Sequence, residues 1–414
     1  MPESISWTQM KQVLDVTRLL TVTADLDLLL RRIAESACGM LGCERASIFL
    51  YDPKTDQLWT KIALHSQEIR VPSSAGIVGH AFKTNTTVHV EKPYEDPRFN
   101  PEPDRRSGFV TRNLLTVPML DLDGQPVGVI QAVNKKAGSY DATDETMVQL
   151  LAAQAGVAIQ RYNLQQAAVE AMALRREMDL AKLVQEKLMP DAAPEIEGIN
   201  AAGWAKTASI TGGDCYDLWK TTDGRLVIFL GDATGHGIGP AMVVSLTRTL
   251  IRAMCDVRAS ACELLTCANA RLSEDLDAGS FVTAFCGFFS PDGTLEWCSG
   301  GHGPILIRRS VSAAIELLDP PAPPLGVINP FNADSVEPIH IEKGGMICVT
   351  SDGIFESFSP TGEQFGVERL VQILEDSKNA APADLIARIH AAVQVWQGND
   401  EPKDDQTVVI AQRK

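Results

Sequence analysis

The stretch from residue 160 to residue 189 contains neither glycine nor proline. Backbone without such punctuation reads as one uninterrupted helix. Leu164, Ala167, Ala171, Leu174, Met178, Ala181 and Leu188 fall at alternating spacings of three and four, with Gln185 interrupting. That is an apolar seam of the coiled-coil type, softened by its alanines; an ordinary packed connector helix is the alternative. The polar, proline-punctuated linker M-P-D-A-A-P-E-I-E-G ends it. A chain of 414 residues exceeds one hydrophobic core and suggests two or three domains, and this connector separates them.

Ahead of the connector, Trp7, Met10, Leu14 and Leu20 at helical spacing predict a lead-in helix over 7–22. Thr23 or Asp25 would cap a second, amphipathic helix over 26–41. A-S-I-F-L-Y-D and Q-L-W-T-K-I-A-L alternate around the turn D-P-K-T-D, which predicts a hairpin. Further strands are expected over 87–90, 113–119 and 127–134, then a helix over 142–161. This order describes an α+β domain.

Residues 25–162 resemble a GAF domain, on the segments A-S-I-F-L-Y-D, G-I-V-G-H-A-F, N-L-L-T-V-P-M and G-V-I-Q-A-V-N-K. The tail of the pattern is more specific. GAF domains of cyclic-nucleotide phosphodiesterases carry Asn-Lys, an aromatic, three residues and Asp-Glu. Here Asn134, Lys135, Tyr140, Asp144 and Glu145 occupy those places, with Tyr for Phe. A Lys–Asp pair of that kind would tie a strand end to the closing helix and hold a lid. The resemblance implies a sensor with a cyclic nucleotide in its pocket; another small ligand, or a ligand-free dimerisation module, stays open.

Beyond the linker, Val227–Gly237 reads V-I-F-L-G-D-A-T-G-H-G. Four apolar residues run into a glycine-rich turn, so Asp232 stands where a buried strand ends. Other expected strands lie at 201–205, 281–290, 294–299, 305–308, 346–350 and 407–411. Helices are expected over 240–254, 262–277, 367–374 and 383–397. Three further acidic stations match Asp232. Asp214, with Asp217 nearby, lies in T-G-G-D-C-Y-D, Asp352 in V-T-S-D-G, and Asp404-Asp405 in K-D-D-Q-T. Antiparallel strands would bring such ends together, where like charges need cations between them. Taken singly, each is a strand cap or turn. Residues 198–414 hold 16 basic and 27 acidic side chains, which favours a shared cation site.

At this point the second half is similar to the PPM-type metal-dependent protein phosphatases, in their bacterial SpoIIE/RsbU-like branch. The matching segments are G-G-D-C-Y-D, G-D-A-T-G-H-G, F-V-T-A-F, S-G-G-H-G-P, P-P-L-G-V, T-S-D-G-I-F-E, F-G-V-E-R-L and D-D-Q-T-V-V. The resemblance implies a β-sandwich flanked by helices over 197–414, following a connector at 163–196 and a lead-in over 1–24. It implies two Mn²⁺ or Mg²⁺ bridged by Asp232, helped by the Ala233 carbonyl. Asp352 and Asp404 would complete the site, with Asp214 at the second ion and Asp405 the alternative to Asp404. Asp232 and Asp352 would be the catalytic residues. The chemistry implied is attack of an activated water on phosphoserine or phosphothreonine, so Cys215 is read as packing. Thr234 and Ser209 stand roughly where eukaryotic members have His and Arg. His236 and His302 are candidates for general acid or for orienting a loop.

A formal charge of −16 argues against nucleic acid or an anionic membrane as partner. Nine scattered cysteines without C-x-x-C, no signal-peptide pattern and no apolar run near 20 residues predict a cytoplasmic protein. The expectation is a homodimeric signalling phosphatase acting on a phosphorylated anti-sigma-factor antagonist under GAF control. The alternatives are a non-catalytic binding module and a cyclic-nucleotide receptor.

Overall fold

The computed structural model describes residues 25–63, 69–257, 260–277, 279–331 and 336–414. The lead-in helix expected at 7–22 lies outside them. Two compact units divide the chain at Met172 and Ala173.

In the first unit, α1 (Leu26–Leu41) starts at Asp25, whose Oδ1 accepts from the amides of Asp27 and Leu28. That carboxylate satisfies two otherwise unpaired helix donors. β1 (Cys43–Asp52) and β2 (Gln57–Ala63) form the hairpin, followed by β3 (Arg70–Pro72). Next come α2 (Gly76–Thr84), β4 (Val88–Val90), α3 (Glu102–Ser107), β5 (Leu114–Leu120) and β6 (Pro126–Lys135). The sheet is antiparallel, in the order β3-β2-β1-β6-β5-β4. Leu30, Ile33 and Ala37 of α1 pack one face together with Val148, Leu151 and Ile159 of α4 (Ala142–Glu186). Phe49, Leu58, Phe82 and Leu114 form a second cluster, with Ile77 and Ala81 of α2. Within α4 itself the boundary between the two units falls.

The second unit contains β7 (Ile199–Lys206), β8 (Asp214–Lys220), β9 (Leu226–Ala233), α5 (Ile238–Met254) and α6 (Ala261–Asp275). β10 (Val282–Phe289), β11 (Thr294–Gly300), β12 (Ile305–Arg308), β13 (Glu316–Leu318), β14 (Ile339–His340) and β15 (Met346–Thr350) follow. α7 (Asp352–Phe355), α8 (Val367–Asp376), α9 (Pro382–Gln397) and β16 (Gln406–Arg413) complete it. Two five-stranded sheets form, β14-β11-β10-β9-β8 and β13-β12-β15-β16-β7. Every paired strand is antiparallel.

Residues of β9 alternate between two cores. Ile228 and Leu230 join Phe285, Ile347, Val349 and Val409 in one cluster; Val227 and Phe229 join Val244 of α5 and Leu264 of α6 in another. A strand buried on both faces has no polar alternation, which is why V-I-F-L is continuous. β15 and β16 repeat the arrangement, with Cys348 and Ile410 packed against Leu370 of α8 and Ile389 of α9. This is the expected α+β class, with paired sheets between helices.

β8 was not among the expected strands. D-C-Y-D-L-W-K carries two acids and a lysine, which mask its strand pattern. The fold accepts Asp217 there because Arg248 and Arg252 of α5 both pair with its Oδ2, at 2.5 and 2.6 Å. A buried carboxylate of this kind is tolerable only when paired.

Candidate metal centre

Antiparallel register sets the site. Asp232 near the end of β9 lies directly opposite Asp214 at the start of β8 and opposite Thr283 of β10. Directly opposed residues share one face, with Cβ atoms about 5 Å apart. Asp214 therefore faces the second sheet, where Thr407 Oγ1 of β16 donates to its Oδ2 at 2.6 Å. Asp217, three residues on, belongs to the other face with the α5 arginines.

The second sheet supplies the remaining carboxylates. Asp352 opens α7 immediately after β15. Ser351 anchors it: its amide donates to the Thr407 carbonyl at 3.0 Å and its hydroxyl to the Asp405 carbonyl at 3.1 Å. At Gly353 the backbone passes so close that a Cβ would lie 2.0 Å from the Asp405 carbonyl oxygen. Only glycine admits that approach.

Asp404 and Asp405 differ sharply. Asp405 is buried, its Oδ1 accepting from Ala208 N at 2.7 Å and its Oδ2 from Asp214 N at 3.3 Å. Both of its oxygens thus hold backbone. Asp404 is exposed and, among the described residues, accepts from the adjacent Asp405 amide alone, at 2.8 Å.

The electrostatics record the crowding. Burial first, then Asp352, Asp404 and Asp405, push the Asp232 carboxyl up to about 7. Burial and Asp232 hold Asp214 well above the usual carboxylate range. Asp352 is raised by burial, Asp404 and Glu356, and Asp405 chiefly by burial. Such a set discharges either by taking up protons or by taking up cations.

An oxygen-lined cradle accompanies these carboxylates. At Gly213 a Cβ would meet the carbonyl oxygens of Ala233 at 2.6 Å and Gly235 at 3.1 Å, and Asp232 Oδ1 at 3.5 Å. Carboxylate and carbonyl oxygens are the donors that hard divalent cations take, so the residues fit Mn²⁺ or Mg²⁺. Among the described residues, no three His, Cys, Asp or Glu side chains are gathered closely enough to hold an ion by themselves. Backbone carbonyls and water would have to complete the coordination.

The histidines differ in setting. His236 is exposed in the turn before α5, whereas His302 is buried. Thr234 is tied to Phe281, donating to its carbonyl through the amide at 3.1 Å and accepting from its amide at 3.2 Å. Ser209 donates to the Thr211 carbonyl at 2.6 Å, and Cys215 is fully buried packing.

Gln185 was missed as a site residue, although it interrupts the connector seam. It is buried; its Nε2 donates to the carbonyls of Gly212 at 2.7 Å and Asp214 at 3.4 Å, and its Oε1 accepts from Gly212 N at 3.1 Å. A lone amide in an apolar seam was the available signal.

In the first unit, Lys135 pairs with Asp144, and Asp144 also accepts from Asp141 N, which ties β6 to the first turn of α4. Asn134 Oδ1 accepts from Arg112 N at 2.6 Å, and its Nδ2 donates to Glu44 and to the Val110 carbonyl. It thereby pins the segment before β5. Tyr140 is buried, and Glu145 faces away from this network toward Gln149.

Residues 25–159 match the GAF domain family and residues 222–414 match Stage II sporulation protein E (SpoIIE). A probable 3',5'-cyclic phosphodiesterase pde-5 of Caenorhabditis elegans is 30% identical over 167 residues, 37% of this chain and 23% of that protein. Protein IcfG of Synechocystis is 26% identical over 255 residues, 53% of this chain and 40% of that protein. The chain thus spans less than half the length of these curated relatives. Among solved structures, the SiaA-PP2C domain of Pseudomonas aeruginosa aligns with a TM-score of 0.51 and 20% identity, covering 60% of this chain and 99% of that one. The chain therefore carries a GAF domain followed by a domain of the SpoIIE family, whose fold is shared with the SiaA-PP2C domain.

Proposed function

We propose that this protein is a metal-dependent protein serine/threonine phosphatase of bacterial signalling. The observation that carries the reading is the Asp214–Asp232 cross-strand pair, with Asp352 and Asp404 approaching from the second sheet and the Gly213 cradle beside it. Asp232, the Ala233 carbonyl, Asp352 and Asp404 would hold Mn²⁺ or Mg²⁺, with Asp214 toward a second ion. Asp405, whose oxygens hold backbone, would be structural. Bound divalent cations would supply an activated water and offset charge on the phosphoryl oxygens. The chain's own residues place the carboxylates, and Gly213 and Gly353 leave room for them.

The substrate we infer is a phosphorylated anti-sigma-factor antagonist. The GAF domain, placed at 25–162, would act as sensor through the connector at 163–196 on the catalytic domain at 197–414. Gln185 supports that route, since it joins the connector helix to the Asp214 loop. A cyclic nucleotide is the proposed GAF ligand; the phosphodiesterase match lies within 167 residues and includes no more than 37% of this chain. Exposed Leu164 and Leu174 on α4 support a homodimer. Among the described residues, no helix is long and apolar enough to cross a membrane, in keeping with a proposed cytoplasmic location.

The test is Mn²⁺-dependent phosphate release from phosphorylated antagonist protein, with wild type and Asp352→Asn side by side. Release by the wild type alone supports the reading. No release by the wild type overturns it.

A further inference from the structure

We propose that His302 is a positioning residue for the metal centre, holding Thr283 of β10 directly opposite Asp232. The inference rests on the phosphatase reading above and assigns a part in it to a residue outside the carboxylate set.

The ring Nδ1 of His302 lies 2.9 Å from Thr283 Oγ1. Thr283 stands directly opposite Asp232 in the β9–β10 ladder, so the hydroxyl and the carboxylate share one face. His302 is 4% exposed, and its Nε2 is buried without a partner among the described residues.

The backbone holds the ring in place. The amide of His302 donates to Ser299 Oγ at 3.1 Å, and that hydroxyl donates to the His302 carbonyl at 2.6 Å. Ser299 is itself fully buried in β11. The β11–β12 turn is therefore anchored, and the imidazole reaches from it to Thr283 of β10.

Burial also excludes the other role open to this residue. It pushes the imidazole down to about 4, so the ring is neutral across the physiological range. An enclosed, neutral ring is poorly placed to protonate a leaving group at a solvent-facing site. It is well placed to hold a hydroxyl. Thr407 holds Asp214 on the β8 side of Asp232, and His302 holds Thr283 on the β10 side. Asp232 lies between the two. Groups that orient a metal ligand from behind typically change metal affinity about 10- to 100-fold when removed.

The experiment measures Mn²⁺ affinity by calorimetry on the full chain, with kcat and KM for phosphorylated protein at saturating Mn²⁺. The variants are His302→Ala, His302→Asn, Thr283→Val and the His302→Ala/Thr283→Val pair. We expect each of His302→Ala and Thr283→Val to weaken Mn²⁺ binding about 10- to 100-fold, and the pair to be no worse than the poorer single variant. His302→Asn, which still reaches Thr283, should recover most of the affinity. KM for the phosphoprotein should stay put. Wild-type Mn²⁺ affinity in His302→Ala overturns the inference and leaves the phosphatase reading standing, whether or not activity falls. Absence of Mn²⁺ binding in the wild type overturns both. Should His302→Ala not fold, Thr283→Val decides: unchanged affinity overturns the inference.

Discussion

Gln185 and Gly212 exchange two hydrogen bonds, Nε2 to the carbonyl at 2.7 Å and amide to Oε1 at 3.1 Å. The pairing imitates one rung of a β-ladder, made by a side chain, and it ends two residues from Asp214. Replacing Gln185 with Leu leaves the Gly212 N–H and C=O buried and unpaired, at a cost of about 1–3 kcal/mol each. Thermal melting should register that loss. A shift of about 1 Å in the Asp214 loop would lower phosphate release by about 100-fold, read in a steady-state assay. Full activity in Gln185→Leu would disconnect the connector from the site.

Adjacent aspartates should behave as opposites. Asp404→Ala is expected to abolish Mn²⁺ binding with little change in melting temperature, because its oxygens hold only one local amide. Asp405→Ala strands the amides of Ala208 and Asp214, so it should destabilise the fold by about 1–3 kcal/mol per amide. Paired melts and metal titrations separate the two outcomes.

Acid should stabilise the metal-free protein relative to neutral pH. The Asp232 carboxyl sits up to about 7 in the folded state, above its ordinary value of 3.8. A group raised in this way favours the fold while protonated, below its unfolded value, and that contribution is lost as pH rises through about 7. Melting temperature without metal should therefore fall between about pH 4 and pH 7. Asp232→Asn or saturating Mn²⁺ should flatten the slope, and an unchanged slope in Asp232→Asn would assign it elsewhere.

Gly213→Ala tests the cradle without altering charge. Its methyl would sit 2.6 Å from the Ala233 carbonyl and 3.1 Å from the Gly235 carbonyl, closer than carbon and oxygen tolerate. Loss of Mn²⁺ binding measured by calorimetry, with the fold retained by circular dichroism, is the expected result.

Much of this architecture was legible because burial leaves a plain mark on sequence. V-I-F-L before Gly231-Asp232 and M-I-C-V-T before Ser351-Asp352 are strands covered on both faces, and no other element accommodates such short continuous runs as readily. Asp214 was legible as an acidic station, but β8 was not legible as a strand. Asp217 breaks its apolar pattern, and its partners Arg248 and Arg252 lie more than 30 residues away on another element. The choice between Asp404 and Asp405 was closed to sequence for a different reason. Neighbouring residues of one type differ only in which backbone donors surround them. Gln185 and His302 share that difficulty: each is an ordinary polar residue until burial and its partners, Gly212 and Asp214 for one and Thr283 for the other, set it apart.

The bond between Thr407 and Asp214 joins residues 193 positions apart. Contacts of such separation form late, after the loop between them has closed. A nascent chain therefore carries Asp214 and Asp232 long before β16 arrives to fix them. Their mutual repulsion is left to solvent and counterions until β16 inserts. Completion of the acidic pocket thus waits on β16, and a chain cut short before Gln406 would lack the strand whose Thr407 fixes Asp214.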